Sequence, residues 1–579
     1  MQDITKFRQY VKPYIFFIIL APLMMMLEVA MDLVQPTLLQ HMIDDGIAKG
    51  DTAYMQRTLI YMVAAAILGL VGGVGCSIYA SKASIHFGTD LRQDVYNKII
   101  YFSAESKDKF TLGKLITNLT NDVELLQRAL GMLLKIFVRG PMLLIGSVVM
   151  VYWTARELFA IFLVIMPLLT VCIAIFMMLA GKFFHKVQTA VDAINIRVQE
   201  SLAGIRVIKA FNRKDQQVQQ FMTANDGLMQ HRMRAEKLIG ILGPLMMLII
   251  NLGLVAAMWI GAIKVEEGTL QVGVILAFVN YLMIGMNGLM TSSMVLVQLA
   301  RSTPSAKRIA EILEEQSRIS NVKQPVGSVI HGKITFNDVS FSYNRESEPV
   351  LKNMSFSIQA GETVGIIGLT GSGKSTLVKM IARLFDVDSG QILIDDVPIQ
   401  DYDLVALRAA IGFAPQKATL FSKTIASNIR YGNEQAITDE IMESLQAASA
   451  SEFVERLPNN TEHLLTQGAT NLSGGQKQRL AMARAFVRQP AILILDDVTS
   501  AVDSVSEKQI QQAIQTKFAH ATKLIVSSKI SSIREADQIF VLNDGQIEAI
   551  GTHGQLLKDS KFYQQIAETQ EKKGGIFDE

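Results

Sequence analysis

Cysteine is scarce: the 579 residues hold 2, Cys76 and Cys172. So low a count excludes a disulfide-stapled scaffold. Both lie in apolar stretches, where cysteine is more often a small packing residue than a reactive thiol. The C-terminal half has none, so neither disulfides nor Cys-type zinc sites are available there. Charge is low as well, at 19% Asp, Glu, Lys and Arg, against about 25% in an ordinary soluble chain. The 55 basic and 53 acidic residues leave a formal net charge of +2, too small for a nucleic-acid binder driven by global charge. Disorder needs low hydrophobicity and high charge, the reverse of a chain that is 50% hydrophobic. The length corresponds to roughly three or four domains of about 150 residues.

Long apolar runs are absent after residue 310. Before it, stretches without Asp, Glu, Lys or Arg run over Tyr14–Leu27, Thr58–Ser81, Gly140–Ala155, Leu158–Gly181, Leu238–Ile263 and Gly268–Ala300. A helix needs about 20 apolar residues to cross a bilayer core. The first run continues around Glu28 and Asp32 to Ile43, and the third is preceded by Leu130–Val138 around Lys135. The pattern therefore predicts six spans followed by a water-soluble half. Tyr14–Met26 reads as a retained first helix rather than a signal-peptide core, because no small-residue cleavage site follows and the apolar pattern runs on. Lys and Arg concentrate before the first span, between the second and third, and between the fourth and fifth. The intervening short loops carry Asp44, Asp45, Asp51, Glu157, Glu266 and Glu267. The positive-inside rule then places both termini and the soluble half in the cytoplasm of a multi-pass plasma-membrane protein. Two polar segments of helical period, from Lys82 to about Leu130 and from Lys182 to Lys237, read as membrane helices prolonged far into the cytoplasm. The expected division is a membrane domain over 1–314, a linker over 315–329 broken by Pro325 and Gly327, a soluble domain over 330–570 and a polar tail over 571–579.

In the soluble half, the β-like run Val364–Ile367 precedes Gly368-Leu-Thr-Gly371-Ser372-Gly373-Lys374-Ser375-Thr376, and an apolar helical pattern follows. Glycines let backbone N–H groups close around phosphates, and the helix N-terminus adds positive potential. Lys374 is placed to reach the terminal phosphates of ATP, and Ser375 to bind Mg²⁺. A second apolar strand pattern, Ala491–Leu495, ends in Asp496-Asp497 and delivers Asp496 as the Mg²⁺ carboxylate. Between them lies Leu472-Ser473-Gly474-Gly475-Gln476, ahead of an amphipathic helix.

That pentapeptide between those two motifs resembles the signature of ATP-binding cassette (ABC) transporters. Six spans fused ahead of it resemble an ABC exporter half-transporter of type IV. The implied fold is an all-α six-helix membrane domain with long intracellular helices, fused to an α/β P-loop cassette. The resemblance implies that Tyr343 stacks on adenine, that Gln416 senses Mg²⁺ and γ-phosphate, and that Asp503 crosses to a partner cassette. It also implies that Gln467 touches the intracellular helices, and that Gly113, Asp122 and the stretch Glu200–Phe211 belong to coupling regions. His553 is expected to be structural.

Two positions depart from the family. Asp497 stands where the family has the Glu that polarises water; its carboxylate would sit about 1.5 Å short, while general-base work needs hydrogen-bond reach of about 2.6–3.2 Å. Ser528 stands where the family has His, so a transition-state donor is missing. In this family each ATP lies between one chain's phosphate loop and the other's signature. The resemblance therefore implies a heterodimer, similar to the degenerate half of bacterial multidrug exporters. Its partner would be a second ABC half-transporter with Glu and His intact, and its cargo a hydrophobic small molecule. A lipid or lipopeptide flippase and a binding-only regulatory ABC protein remain alternatives. Met25, Glu28, Asp32, Met286 and Met290 are candidate cargo residues, as are Phe278, Tyr281, Met283 and Met294. Glu28 and Asp32 share a helix face; they form either an acidic wall for lipophilic cations or inter-helix hydrogen bonds. Gly69, Gly72, Gly73 and Gly75 read as close helix packing.

Overall fold

Among the described residues, six helices are long and apolar enough to cross a bilayer. They are α1 (Ile15–His41), α2 (Thr52–Ile100), α3 (Val123–Thr154), α4 (Phe159–Ala203), α5 (Lys214–Glu266) and α6 (Val272–Glu314). The computed structural model describes residues 7–574 apart from 317, 318, 320, 323, 328, 344–347 and 501. At 1.5 Å per residue, the 53 residues of α5 run far past an apolar bilayer core of about 30 Å.

Lipid offers no hydrophobic drive for helix association, so small residues and close backbone contact must supply it. On α2, a Cβ at Gly72 would lie 2.8 Å from the backbone nitrogen of Glu28 and the carbonyl of Met24 on α1. One at Gly73 would lie 2.9 Å from a Glu28 carboxylate oxygen. The glycine cluster thus seats α1 against α2 at its half-buried Glu28. Gly140 of α3 and Gly288 of α6 make the reciprocal contact, each Cβ position meeting the other's carbonyl oxygen at 3.0 and 2.8 Å. Asp122, just ahead of α3, accepts from Ser305 Oγ (2.7 Å) and Arg308 Nε (2.8 Å) of α6. Phe162, Met246, Phe278 and Tyr281 fill the core among α4, α5 and α6.

Contacts divide the chain into two units. One holds the six helices. The other holds the residues after Glu315 together with Tyr101–Thr111, the segment between α2 and α3. The sequence division is therefore crossed once: Tyr101–Thr111 was expected within the membrane domain and belongs to the second unit. Phe102 stacks on Phe110 there, with ring centroids 5.5 Å apart, and Ala104 packs against the core beneath β1 (Ile334–Phe341) and β2 (Leu351–Ile358).

Alternating burial along β2 and near-continuous burial along β3 (Thr363–Gly368) assign the first to a one-sided sheet and the second to a buried one. β1 pairs antiparallel with β2 and β4 (Ser389–Ile394), and β5 (Val397–Pro398) completes that four-stranded sheet. The main sheet has the order β10-β9-β3-β8-β7-β6, with β6 (Ile411–Ala414), β7 (Ile492–Asp496), β8 (Thr522–Val526), β9 (Gln538–Asn543) and β10 (Gln546–Gly551). Its pairs are parallel except β9–β10. Strands β3 and β7 flank β8, so their C-terminal ends open on one crevice, where ligands of such sheets bind. A last helix, Lys561–Gly574, runs beyond residue 570 into the segment expected as a polar tail.

The α3–α6 contact predicts that Gly288→Ala costs about 1–3 kcal/mol through backbone displacement and lowers the Tm of the purified protein. Gly181→Ala, where nothing lies within 4 Å of the added carbon, should hold or slightly raise the Tm, because alanine is the better helix former. Equal Tm values for both variants would contradict the packing described.

Candidate functional site

The turn after β3 is shaped by its glycines. Gly371 and Gly373 have φ of +89° and +95°, a region that side chains with a Cβ disfavour. A Cβ at Gly368 would lie 2.2 Å from the carbonyl oxygen of Leu542, so only glycine fits. The helix α7 (Lys374–Ile381) starts directly after Gly373, with its first N–H groups free to face an anion. Ser372 Oγ is buried without a hydrogen-bond partner. Lys374 Nζ donates to the carbonyls of Gly368 and Leu369, both at 2.8 Å, and burial lowers its pKa. The loop therefore combines a desolvated cation, unfilled donors and a glycine cradle, which fits a nucleotide's phosphates.

At the end of β7, Asp496 is 2% exposed and accepts from Ser375 Oγ at 2.8 Å. Burial raises its pKa, partly offset by that hydrogen bond. A hydroxyl and a carboxylate at this separation are the hard oxygen ligands that Mg²⁺ takes beside phosphates. Asp497 has φ of +51°, and its Oδ2 accepts from Gln416 Nε2 at 3.1 Å. Ser528 lies in the exposed turn after β8. The amide of Gln570 grips that turn from the last helix, donating to Ser528 O (2.8 Å) and accepting from Ile530 N (2.9 Å). Sequence reasoning missed Gln570, because its only signal is a glutamine in a polar helix.

Tyr343 follows β1, 40% exposed, its ring edge-on to Phe385 and its hydroxyl 3.0 Å from that of Thr376. Ser473 caps the helix α8 (Gly474–Phe486): Gln476 N donates to Ser473 Oγ (3.3 Å), and Ser473 N to Gln476 Oε1 (2.8 Å). This capping box fixes the turn while leaving Ser473 and Gly474 exposed, with Leu472 buried beneath. Asp503 caps the helix α9 (Ser504–Lys517) by accepting from Ser506 N at 2.9 Å, which lowers its pKa. Gln467 lies in a short turn before the signature, next to Gly468 at φ +68°. His553 contacts the Tyr563 hydroxyl at 2.8 Å.

In the membrane unit, a cavity of about 700 Å³ is lined by Met25, Glu28 and Asp32 among others. Arg139 meets Glu28 at 2.9 Å and Asp32 at 3.2 Å, so the two acids share one guanidinium across helices. Met286 and Met290 do not line this cavity; both pack against the core of α4, α5 and α6, where Phe278 and Tyr281 are fully buried. The Met294 side chain lies outside the described residues. Asp44 is not a solvated loop residue: it is 5% exposed and accepts from Gly273 N at 2.7 Å. Arg139, which the sequence reading passed over, carried one signal, a charge next to an apolar run.

A six-helix membrane unit and a cassette whose phosphate loop, acidic strand end and capped glycine turn share one sheet define an ATP-powered membrane transporter. The ABC transporter transmembrane region matches residues 18–290, and the ABC transporter domain residues 351–500. The uncharacterized ABC transporter ATP-binding protein YfiB of Bacillus subtilis is 37% identical over 97% of both chains. The ATP-dependent lipid A-core flippase of Vibrio cholerae is 28% identical over 98% of this chain and 97% of its own. The fold matches a bacterial Atm1-family ABC exporter with ATP bound, with a TM-score of 0.79 at 24% identity over 97% and 98% of the two chains. The chain belongs to the ABC transporters, as an exporter half-transporter of type IV.

Because metal binding requires the carboxylate form, the raised pKa of Asp496 has a predictable sign. As pH falls, Mg²⁺-dependent tightening of ATP binding should fade at higher pH than for an ordinary carboxylate. In Asp496→Asn the tightening should be small at every pH. Titrations with a fluorescent ATP analogue would reveal it; a wild-type profile flat down to the usual carboxylate range would contradict it.

Proposed function

We propose that the chain is one subunit of a heterodimeric, ATP-driven exporter that moves hydrophobic drugs or other amphipathic compounds out of the cell by alternating access. The observation that carries this reading is the coexistence, in one cassette, of an intact phosphate loop and signature with Asp497 and Ser528. ATP is held by Tyr343 at the adenine and by Gly368, Gly371, Ser372, Gly373, Lys374, Ser375 and Thr376 at the phosphates. Ser375, Gln416 and Asp496 would hold Mg²⁺, which would supply charge neutralisation on the phosphates.

Hydrolysis at this site is weak for two reasons. The Asp497 carboxylate is one methylene short of the water, and its bond to Gln416 engages it elsewhere. Ser528 cannot extend an imidazole donor to the transferring phosphoryl group. The Leu472–Gln476 turn, with Ser473 and Gly474 exposed, and Asp503 serve the partner's ATP. The partner supplies the Glu and the His. Basic loops support cytoplasmic termini and a cytoplasmic cassette, and the bacterial relatives support a bacterial plasma membrane. A lipid cargo is the second reading, favoured by the relative named as a lipid A-core flippase.

In the assembled transporter, Ser473→Ala should nearly abolish ATP turnover, whereas Lys374→Ala should reduce it far less. Equal damage would contradict the asymmetry. For the chain purified alone, Asp497→Glu with Ser528→His should raise the low ATPase rate at least about a hundredfold, the lower end of what a positioned base contributes. Robust turnover by the unmodified chain alone would count against the proposal.

A further inference from the structure

Four charged side chains line the α1–α2–α3 cavity, and their pairing is uneven. Glu28 and Asp32 come from α1, Lys135 and Arg139 from α3. The guanidinium of Arg139 spans both carboxylates, at 2.9 Å from Glu28 Oε1 and 3.2 Å from Asp32 Oδ2. One cation between two anions leaves one net negative charge. Lys135 lies one turn earlier, about 6 Å along the helix. Its Nζ donates to two neutral hydroxyls of α2, Ser77 Oγ at 3.1 Å and Ser81 Oγ at 3.3 Å. Among the described residues, no carboxylate lies within ion-pair distance of it.

An ammonium on an apolar wall is costly unless it is matched or reaches water. Here two serines hold it against α2 instead, and each hydroxyl can turn to donate a proton to an anion. The opposite pole is also built: Gly73 leaves room that a Cβ would take from the Glu28 carboxylate. Met31, Leu70, Val74 and Ile136 complete apolar walls. The cavity is therefore neutral in sum and divided in charge. A lipophilic cation would satisfy the acids and leave Lys135 unmatched; an anion would do the reverse.

We propose that this cavity binds a zwitterionic amphipath, with a phosphate or carboxylate on Lys135, Ser77 and Ser81, an ammonium against Glu28 and Asp32, and the tail on the apolar walls. That this occupant is cargo rests on the exporter reading; that it binds does not.

The test uses the full chain in its assembled transporter, in nanodiscs without nucleotide. The probes share a dodecyl tail: dodecylphosphocholine, dodecyl phosphate and dodecyltrimethylammonium, each below its micelle concentration, with binding followed by native mass spectrometry. The zwitterion should bind about tenfold more tightly than either singly charged probe, as expected for one further charge-assisted contact. Lys135→Gln should move the preference to the ammonium probe. Glu28→Gln with Asp32→Asn should move it to the phosphate probe, and Lys135→Arg should keep the wild-type order. Equal binding of all three probes to the wild type, or a wild-type preference for a singly charged one, overturns the proposal, and this ranking decides even if a variant fails to assemble. Vesicle transport is measured separately. The zwitterion preference without transport retains the site and removes the exporter reading; transport without the preference does the opposite.

Discussion

The hydrogen bond from Ser375 to Asp496 fixes where phosphate chemistry takes place. It joins the first turn of α7 to the last residue of β7. The parallel order β3-β8-β7 brings those two ends to the same edge of the sheet. Remove the glycine conformations at Gly371 and Gly373 and α7 no longer starts where Ser375 meets the carboxylate. The buried acid would then lose the Ser375 hydroxyl that donates to it, an expensive state for a carboxylate in a dry site.

From that fixed point, distance decides activity. Asp496 is correctly placed because it is the strand's last residue. Asp497, one residue on, already has left-handed backbone and turns its carboxylate to Gln416. A longer side chain could keep that backbone and reach farther; aspartate cannot. The loss at Ser528 is of the same kind, since its turn is held through backbone atoms by Gln570 and the side chain is too short to act at a distance. Both changes remove reach while leaving nucleotide-binding elements intact. The function we propose, a site that binds ATP and hydrolyses it poorly beside a second, competent chain, rests on that pair of changes.

Legibility in the sequence followed locality. Spans, phosphate loop, acidic strand and signature are contiguous patterns, and each has a mechanism that local spacing expresses. Glycines 72 and 73 were legible as packing residues because small side chains on a membrane helix have one common use. Contacts between distant segments were not legible. Arg139 pairs with Glu28 and Asp32 across more than a hundred positions, and nothing near either acid announces it. Asp44 sits in a short polar stretch that reads as solvated, yet the start of α6 buries it. Phe278 and Tyr281 fill a core because α4 and α5 close over them, although helical spacing alone would equally let them line a cavity. Tyr101–Thr111 looks like any polar excursion until its aromatic pair and Ala104 are found in the cassette unit.

The central claim is that this chain's own phosphate loop retains ATP while another chain's hydrolyses it. Photo-crosslinking the assembled transporter during turnover with 8-azido-ATP, labelled on either the α- or the γ-phosphate, tests this directly. The γ-label should persist on this chain and be lost from a second, different subunit that keeps only the α-label. Loss of the γ-label from both sites at one rate, or a complex containing two copies of this chain alone, would contradict the account.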